Sequence, residues 1–343
     1  MKPKSMCTLT SLISLALLLS CGPESGMLPS APAPAVLQLV PDEPPQFSDW
    51  SAPVNLGPIV NTAFVDSDPF ISKDGLSLYF TAGRGRAPNF GLQDIWVSQR
   101  ASIDDPWGPP RNLGATINTA AQENGPTLSR DEHRLYFAST RAGGLGSTDL
   151  YVSRRRDKRD DFAWEPPVNL GSGVNSDADE TRAVEFEDDA SGTILLYFGS
   201  DRPGGPGGHD IYVSTLGPDE TFGPPVLVTE LNSPSGDFRP AIRRDGLEMF
   251  LSSTRPGTYG AMDLWVATRP STRDPWSAPV NLGPLINTPP RPPEVEQAND
   301  WGPALSFDGT TLYFNSAFRA GNVSDMFDIW VATRSKLKHD DRR

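Results

Sequence analysis

One segment recurs five times along this chain in a nearly fixed register. The runs DSDPFISKDGLSLYFTAGR (66–84), ENGPTLSRDEHRLYFASTR (123–141), DFRPAIRRDGLEMFLSSTR (237–255) and DWGPALSFDGTTLYFNSAFR (300–319) share a template, and ETRAVEFEDDASGTILLYFGSDR (180–202) fits it with an insertion. The acidic residue opening each copy falls at Asp66, Glu123, Glu180, Asp237 and Asp300, at spacings of 57, 57, 57 and 63 residues. Each copy passes through a Gly-rich loop into a second run: DIWVSQR (94–100), DLYVSRR (149–155), DIYVSTL (210–216), DLWVATR (263–269) and DIWVATR (328–334). A third motif follows in PWGPPRNLG (106–114), AWEPPVNLG (163–171), TFGPPVLVT (221–229) and PWSAPVNLG (275–283). Short β-branched and aromatic runs between Gly and Pro turns read as strands. Four strands per period is the signature of a propeller blade, a sheet buried on both faces against its neighbours.

The third motif has no copy after DIWVATR; its counterpart stands at the N-terminus, as DWSAPVNLG (49–57). A first strand that completes the last blade closes the ring and leaves no open sheet edge. The sequence therefore predicts an all-β, five-bladed β-propeller over residues 47–334, four strands per blade. Its only cysteines are Cys7 and Cys21, so the repeat region has neither disulfide nor thiol chemistry. A formal charge of -13, reaching -15 without Lys2 and Lys4, argues against nucleic acid and against an electrostatic hold on anionic lipid.

The N-terminus reads as an address. Lys2 and Lys4 precede an apolar stretch from Leu9 to Leu19, too short for a membrane span and laid out as a secretory signal over residues 1–20. It ends in Leu18-Leu19-Ser20-Cys21, which resembles the bacterial lipoprotein box. That resemblance implies a lipidated Cys21 as first mature residue, and Gly22 after it implies sorting to the outer membrane, facing periplasm or cell surface. Residues 21–46 are rich in Pro and Ala, the composition of a semi-extended tether, and residues 335–343 form a charged tail.

The pattern P-x-(I/L)-S-x-D-G-x-x-L-Y-F-x-S-x-R, followed by G-G-x-G-x-x-D-(I/L)-(Y/W)-V, resembles the WD40-like β-propeller repeat of TolB-type exported proteins and covers nearly all of 49–334. The resemblance implies the fold and, by analogy, protein binding. The third copy departs from it, with Ala183 in place of Pro and Asp188-Asp189 beside the turn; Phe222 stands in place of Trp and the Asn-Leu-Gly after it is lost.

Antiparallel strands bring three sets to one face of the disc: the opening acids, the arginines Arg84, Arg141, Arg202, Arg255 and Arg319, and the aspartates Asp94, Asp149, Asp210, Asp263 and Asp328. Residues present in every blade suit a fivefold scaffold, each guanidinium held between two carboxylates. The tryptophans Trp50, Trp107, Trp164 and Trp276 read as packing residues in the same way. Positions where the copies differ are better functional candidates: Asp68, Arg182 and Arg239 before the proline position, which alternation along channel-lining inner strands places at the mouth with the acidic ring, and Phe238 and Trp301, either an aromatic platform for sugars or side chains turned between blades. These five are the predicted ligand site of a non-enzymatic module that binds an envelope protein or glycan.

The alternative is a glycoside hydrolase of the five-bladed kind, with Asp66, Glu123 and Glu180 as its carboxylates. Against it stands an acid at that place in all five blades. The three histidines, His133, His209 and His339, are scattered, and no G-x-S-x-G or H-E-x-x-H is present. No cofactor is expected; a structural calcium would draw on Asp177, Asp179 and Glu180, or on Asp188 and Asp189.

Overall fold

Among the described residues twenty strands form in the repeat region, and they group as the spacing predicts. The computed structural model describes residues 45–289, 298–323 and 326–337. Strand β1 (Val54–Asn55) comes first. Blade 1 holds β2 (Asp66–Ile71), β3 (Ser77–Gly83), β4 (Gln93–Gln99) and β5 (Arg111–Asn112). Blade 2 holds β6 (Glu123–Leu128), β7 (Arg134–Ser139), β8 (Asp149–Arg154) and β9 (Val168–Asn169). Blade 3 holds β10 (Glu180–Glu187), β11 (Ile194–Ser200), β12 (Asp210–Thr215) and β13 (Val226–Leu227). Blade 4 holds β14 (Asp237–Ile242), β15 (Glu248–Ser253), β16 (Asp263–Thr268) and β17 (Val280–Asn281). Blade 5 holds β18 (Asn299–Leu305), β19 (Thr311–Ala317) and β20 (Phe327–Thr333), with β1 as its fourth strand.

Within each blade the strands pair antiparallel, and β1 joins β20 through Val54↔Val331 and Asn55↔Trp330. The ring closure read from the displaced motif is thus what forms. Outer strands of two residues leave little edge for another chain to pair with. The inner strands β2, β6, β10, β14 and β18 touch one another in turn and surround a central channel.

The core is divided into five layers, one between each pair of neighbouring blades. Strand alternation explains the Leu-Tyr-Phe runs: Leu78 and Phe80 face blade 5, while Tyr79 between them faces blade 2. Four of the layers carry a cation on an indole. Arg100, Arg155, Arg269 and Arg334 lie 4.4, 4.4, 4.1 and 4.4 Å over Trp107, Trp164, Trp276 and Trp50. Each also donates from Nε to a hairpin carbonyl, of Gly75, Glu132, Gly246 and Gly309. Blade 3 lacks both partners together, with Leu216 for the arginine and Phe222 for the tryptophan. The departure at Phe222 is one half of a paired change.

Among the described residues no helix is long and apolar enough to cross a membrane. The signal, Cys21 and nearly all of the tether lie outside those residues, as does most of the tail.

Candidate functional site

The face where the inner strands begin is held by a fivefold network. Asp66, Glu123, Glu180, Asp237 and Asp300 are buried, and each receives bonds from the backbone amide and hydroxyl of a Thr or Ser upstream: Thr62, Thr119, Ser176, Ser233 and Thr288. An arginine then closes each carboxylate: Arg141 at 3.2 Å, Arg202 at 2.9 Å, Arg319 at 3.0 Å and Arg255 closer still. In blade 1 that arginine is Arg86, at 3.1 Å from Asp66; Arg84, the residue expected from the alignment, is exposed.

The expected clamp of one arginine between two carboxylates does not form. The second group is a carbonyl, such as that of Ile117, which accepts from Arg141 at 2.6 Å. The aspartates that open the third strands serve backbone amides instead, as where Asp149 accepts from Leu145 and Gly146. They also take the amide of the Asn in Asn-Leu-Gly: Asn112, Asn169, Asn281 and Asn55 donate to Asp94, Asp149, Asp263 and Asp328.

A further repeated residue, passed over in the sequence, completes the network. Asn61, Asn118, Asn175, Asn232 and Asn287 each bond both the amide and the carbonyl of the residue after the third-strand aspartate, Asn118 with Ile95 at 2.8 and 2.9 Å. An apolar-Asn-(Thr/Ser) triplet upstream of each acid was the available signal. These contacts remove Asp66, Glu123 and Glu180 from the catalytic role considered for them. Carboxylates with 0 % side-chain exposure and all their donors inside the blade cannot reach a substrate.

Asp66 differs in one respect. In the other blades the acid faces a serine on the second strand, Ser139, Ser200, Ser253 or Ser316, whereas Asp66 faces Ala82. Burial pushes the Asp66 carboxyl up to about 6, against the opposing pull of Arg86 and Thr62. The folded chain then holds a proton between about pH 4 and 6 that the unfolded chain has released, so this contribution is present at the acid end and lost as pH rises through about 6. At about 1.4 kcal/mol per unit the whole effect is on the order of 3 kcal/mol. The melting temperature is expected to be higher near pH 5.5 than near pH 7.5, and Ala82→Ser to raise it at neutral pH by about 1–2 kcal/mol of stability while flattening that slope. Stability that climbs with pH over this window, or an unchanged slope in the variant, would show that Asp66 is not its source.

Inside the channel every inner strand carries a bulge at the same place, between Ser67/Phe70, Asn124/Thr127, Thr181/Val184, Phe238/Ala241 and Trp301/Ala304. Asp68, Gly125, Arg182, Arg239 and Gly302 sit there with positive φ, at 52°, 63°, 22°, 52° and 64°. The bulge breaks the alternation that would have put them beside the acidic ring, and turns them into the channel. Asp68, Arg182 and Arg239 do come together, but buried in the interior and not at the mouth. Arg239 lies 2.5 Å from Asp68, Arg182 lies 3.9 Å from it, and Arg182 donates to the Pro69 carbonyl at 2.7 Å. Glycine is favoured at the other two positions: a Cβ at Gly302 would lie 2.5 Å from the Asn315 amide oxygen and 3.2 Å from Asp68, and one at Gly125 would lie 3.2 Å from the Arg182 side chain.

Phe238 and Trp301 do not share a platform. Phe238 packs on His209 at 4.7 Å, and Trp301 stacks on Phe327 at 5.3 Å and carries Arg239 at 4.2 Å. Of the calcium candidates Asp177 is exposed, Glu180 belongs to the blade network, Asp179 accepts from Ser147, Asp188 from Ser191 and Thr272, and Asp189 from Arg130 and Arg244. Among the described residues no three His, Cys, Asp or Glu side chains are grouped to hold a metal.

The opposite mouth, where the inner strands end, holds a cavity of about 100 Å³ lined by all five of those strands. Its carboxylates are not fivefold. Glu185 is locked by Tyr136 at 2.7 Å and Arg134 at 3.2 Å. Glu187 is open to solvent and pairs with Arg130 at 3.4 Å. Glu132 is nearly buried, and one of its oxygens accepts the Lys73 amide at 2.6 Å. Burial pushes the Glu132 carboxyl above the usual range, opposed by that amide and reinforced by Asp74. Its backbone has φ 63°, at a hairpin position where the other four blades have Gly75, Gly192, Gly246 and Gly309. A side chain kept where glycine is favoured, beside a cavity and with a perturbed carboxyl, marks a functional candidate.

No family model and no curated protein matches this sequence. Solved structures do resemble it. An α-L-arabinofuranosidase from Lactobacillus brevis is 17 % identical with a TM-score of 0.55, over 83 % of this chain and 94 % of that one. A thermostable family-43 glycoside hydrolase is 14 % identical with a TM-score of 0.53, over 84 % and 94 %. An α-L-arabinofuranosidase from Podospora anserina, solved with cellotriose, is 14 % identical with a TM-score of 0.51, over 85 % and 98 %. At such identities the likeness is one of fold, and these neighbours are hydrolases where the repeat motif pointed to TolB-type proteins. Against the expectation of a non-enzymatic module, the solved structures that share the fold are enzymes. That expectation rested on five equivalent carboxylates, and those carboxylates are scaffold, so their equivalence carries no weight against catalysis; the unequal ones lie at the other mouth.

Proposed function

We propose that this chain is a glycan-cleaving enzyme of glycoside hydrolase type, working at the mouth where the inner strands end. Glu132 is the proton donor and Glu187 the partner carboxylate. The observation that carries the reading is Glu132 itself, held at positive φ in the one hairpin that lacks glycine and holding its proton more tightly than a solvated glutamate. Glycoside hydrolysis asks for two carboxylates, one protonated and one ionised, within about 5–9.5 Å. Glu132 protonates the leaving oxygen as the C–O bond breaks, and Glu187 either directs a water at the anomeric carbon or attacks it first. The fold neighbours favour arabinose- and xylose-containing glycans as first substrates to try. Incubation of the whole chain with arabinan, arabinoxylan, xylan and a uronate-bearing glycan, read by new reducing ends, is expected to give product from at least one. No product from any of them would overturn the reading.

We also propose that the enzyme is exported and tethered through Cys21 to the outer membrane, on the strength of the Lys2/Lys4 and Leu9–Leu19 pattern. Several acyl chains on one cysteine make a stable anchor where a single chain is marginal. Mass spectrometry of protein extracted from membranes is expected to find a lipidated Cys21 as first residue, and Cys21→Ser to leave the precursor uncleaved. A water-soluble product processed at another site would exclude the anchor.

A further inference from the structure

The floor of that cavity carries more positive charge than its protein partners neutralise. Arg182 lines it and is 1 % exposed, yet its Nε and Nη1 have no hydrogen-bond partner. Its Nη2 alone is engaged, on the Pro69 carbonyl. The nearest anion is Asp68, whose Oδ1 is the atom facing both arginines: Arg239 at 2.5 Å and Arg182 at 3.9 Å, too long for a hydrogen bond. Two guanidinium groups thus share one carboxylate in a buried site, an excess of one positive charge. A buried charge without its counter-charge costs several kcal/mol, so a chain that retains one gains by letting a ligand supply the other.

We propose that Arg182 is the floor of an anion subsite that takes a single carboxylate, that of a uronic acid unit in the glycan. A guanidinium presents its donors in a planar fork that matches carboxylate oxygens, and the unpartnered Nε and Nη1 of Arg182 stand on its two different edges, so that each can give a bond to an incoming carboxylate. The space suits it: about 100 Å³ holds a carboxylate and a few waters. Above the floor the wall is apolar, with Phe70, Val184 and Ile242 suited to a sugar face, and Lys73 and Arg244 stand at the rim over the ring of Phe307. The anion site stands on Arg182 alone; that its anion belongs to a sugar rests on the glycan reading above.

The test is thermal unfolding of the whole chain at constant ionic strength with glucuronate, acetate or glucose. Glucuronate is expected to raise the melting temperature by about 5 °C at a hundredfold excess over its Kd, acetate by less and glucose not at all. In Arg182→Met the glucuronate shift is expected to vanish; if that variant does not fold, Arg182→Lys is expected to bind at least 10-fold more weakly. Equal shifts from acetate and glucuronate would overturn the sugar assignment and leave a site for free carboxylates. No shift from any anion, or a glucuronate shift that survives in Arg182→Met, would overturn the site itself. Turnover of a neutral glycan without an anion effect would sink this inference and not the hydrolase; an anion effect without turnover would do the reverse.

Discussion

Asp68→Asn is expected to cost the folded protein about 3–5 kcal/mol, the loss typical when one partner of a buried ion pair is removed. The substitution keeps the shape and tolerates the positive φ of 52° at this bulge, so the cost is electrostatic and not steric. It leaves Arg182 and Arg239 facing one another in the channel with no carboxylate between them. Burial already draws the Arg182 guanidinium down to about 10, with Asp68 opposing that shift and Arg239 adding to it. Urea unfolding would show the effect as a lower midpoint at unchanged slope. Adding Arg239→Met to Asp68→Asn removes the second stranded charge and is expected to restore much of the loss, a coupling that only neighbours show. A midpoint within about 0.5 kcal/mol of the parent for Asp68→Asn would mean that the channel is wet enough to solvate both arginines.

Glu132→Gln is expected to lower turnover by about 10²–10⁴-fold, the range of general acid catalysis, with the fold intact because glutamine can still accept the Lys73 amide. Glu132→Gly separates chemistry from architecture. Four blades already carry glycine at this turn, and relief of the positive φ offsets the lost bond and the extra freedom of the unfolded chain. Its stability is expected to stay within about 1 kcal/mol of the parent while activity falls as far as in Glu132→Gln. A large drop in melting temperature for Glu132→Gly, with full activity in Glu132→Gln, would make Glu132 a packing residue.

The scaffold was legible because it is repeated. Five copies of an acid, a Leu-Tyr-Phe run and an Asp-Leu-Trp run cannot be rearranged without breaking a common register, and the displaced DWSAPVNLG gave the ring closure. The burial of the shared acids followed from the same logic. The channel was misplaced because strand alternation was carried across a bulge that alternation does not foresee; one extra residue per inner strand swings Asp68, Arg182 and Arg239 from the face into the interior. Arg86 was missed because blade 1 has a longer loop and its arginine stands two residues later. Glu132 was visible in the alignment, as the glutamate of LSRDEHR opposite the glycines of SKDGLS and SFDGTT. What singles it out is its positive φ and its bond to the Lys73 amide of the next blade, which only the folded turn displays.

The two-residue ladder between β1 and β20 also sets an order of events in synthesis. Asn55 and its partner Asp328 lie 273 positions apart, so the first strand to leave the ribosome is the last to find its neighbour. Blades 1 to 4 are each built from consecutive segments and can collapse as they emerge, while blade 5 stays one strand short until β20 has been made and β1 joins it. A nascent chain stalled before Asp328 therefore holds four finished blades and an unclosed ring, with β1 still free to pair elsewhere.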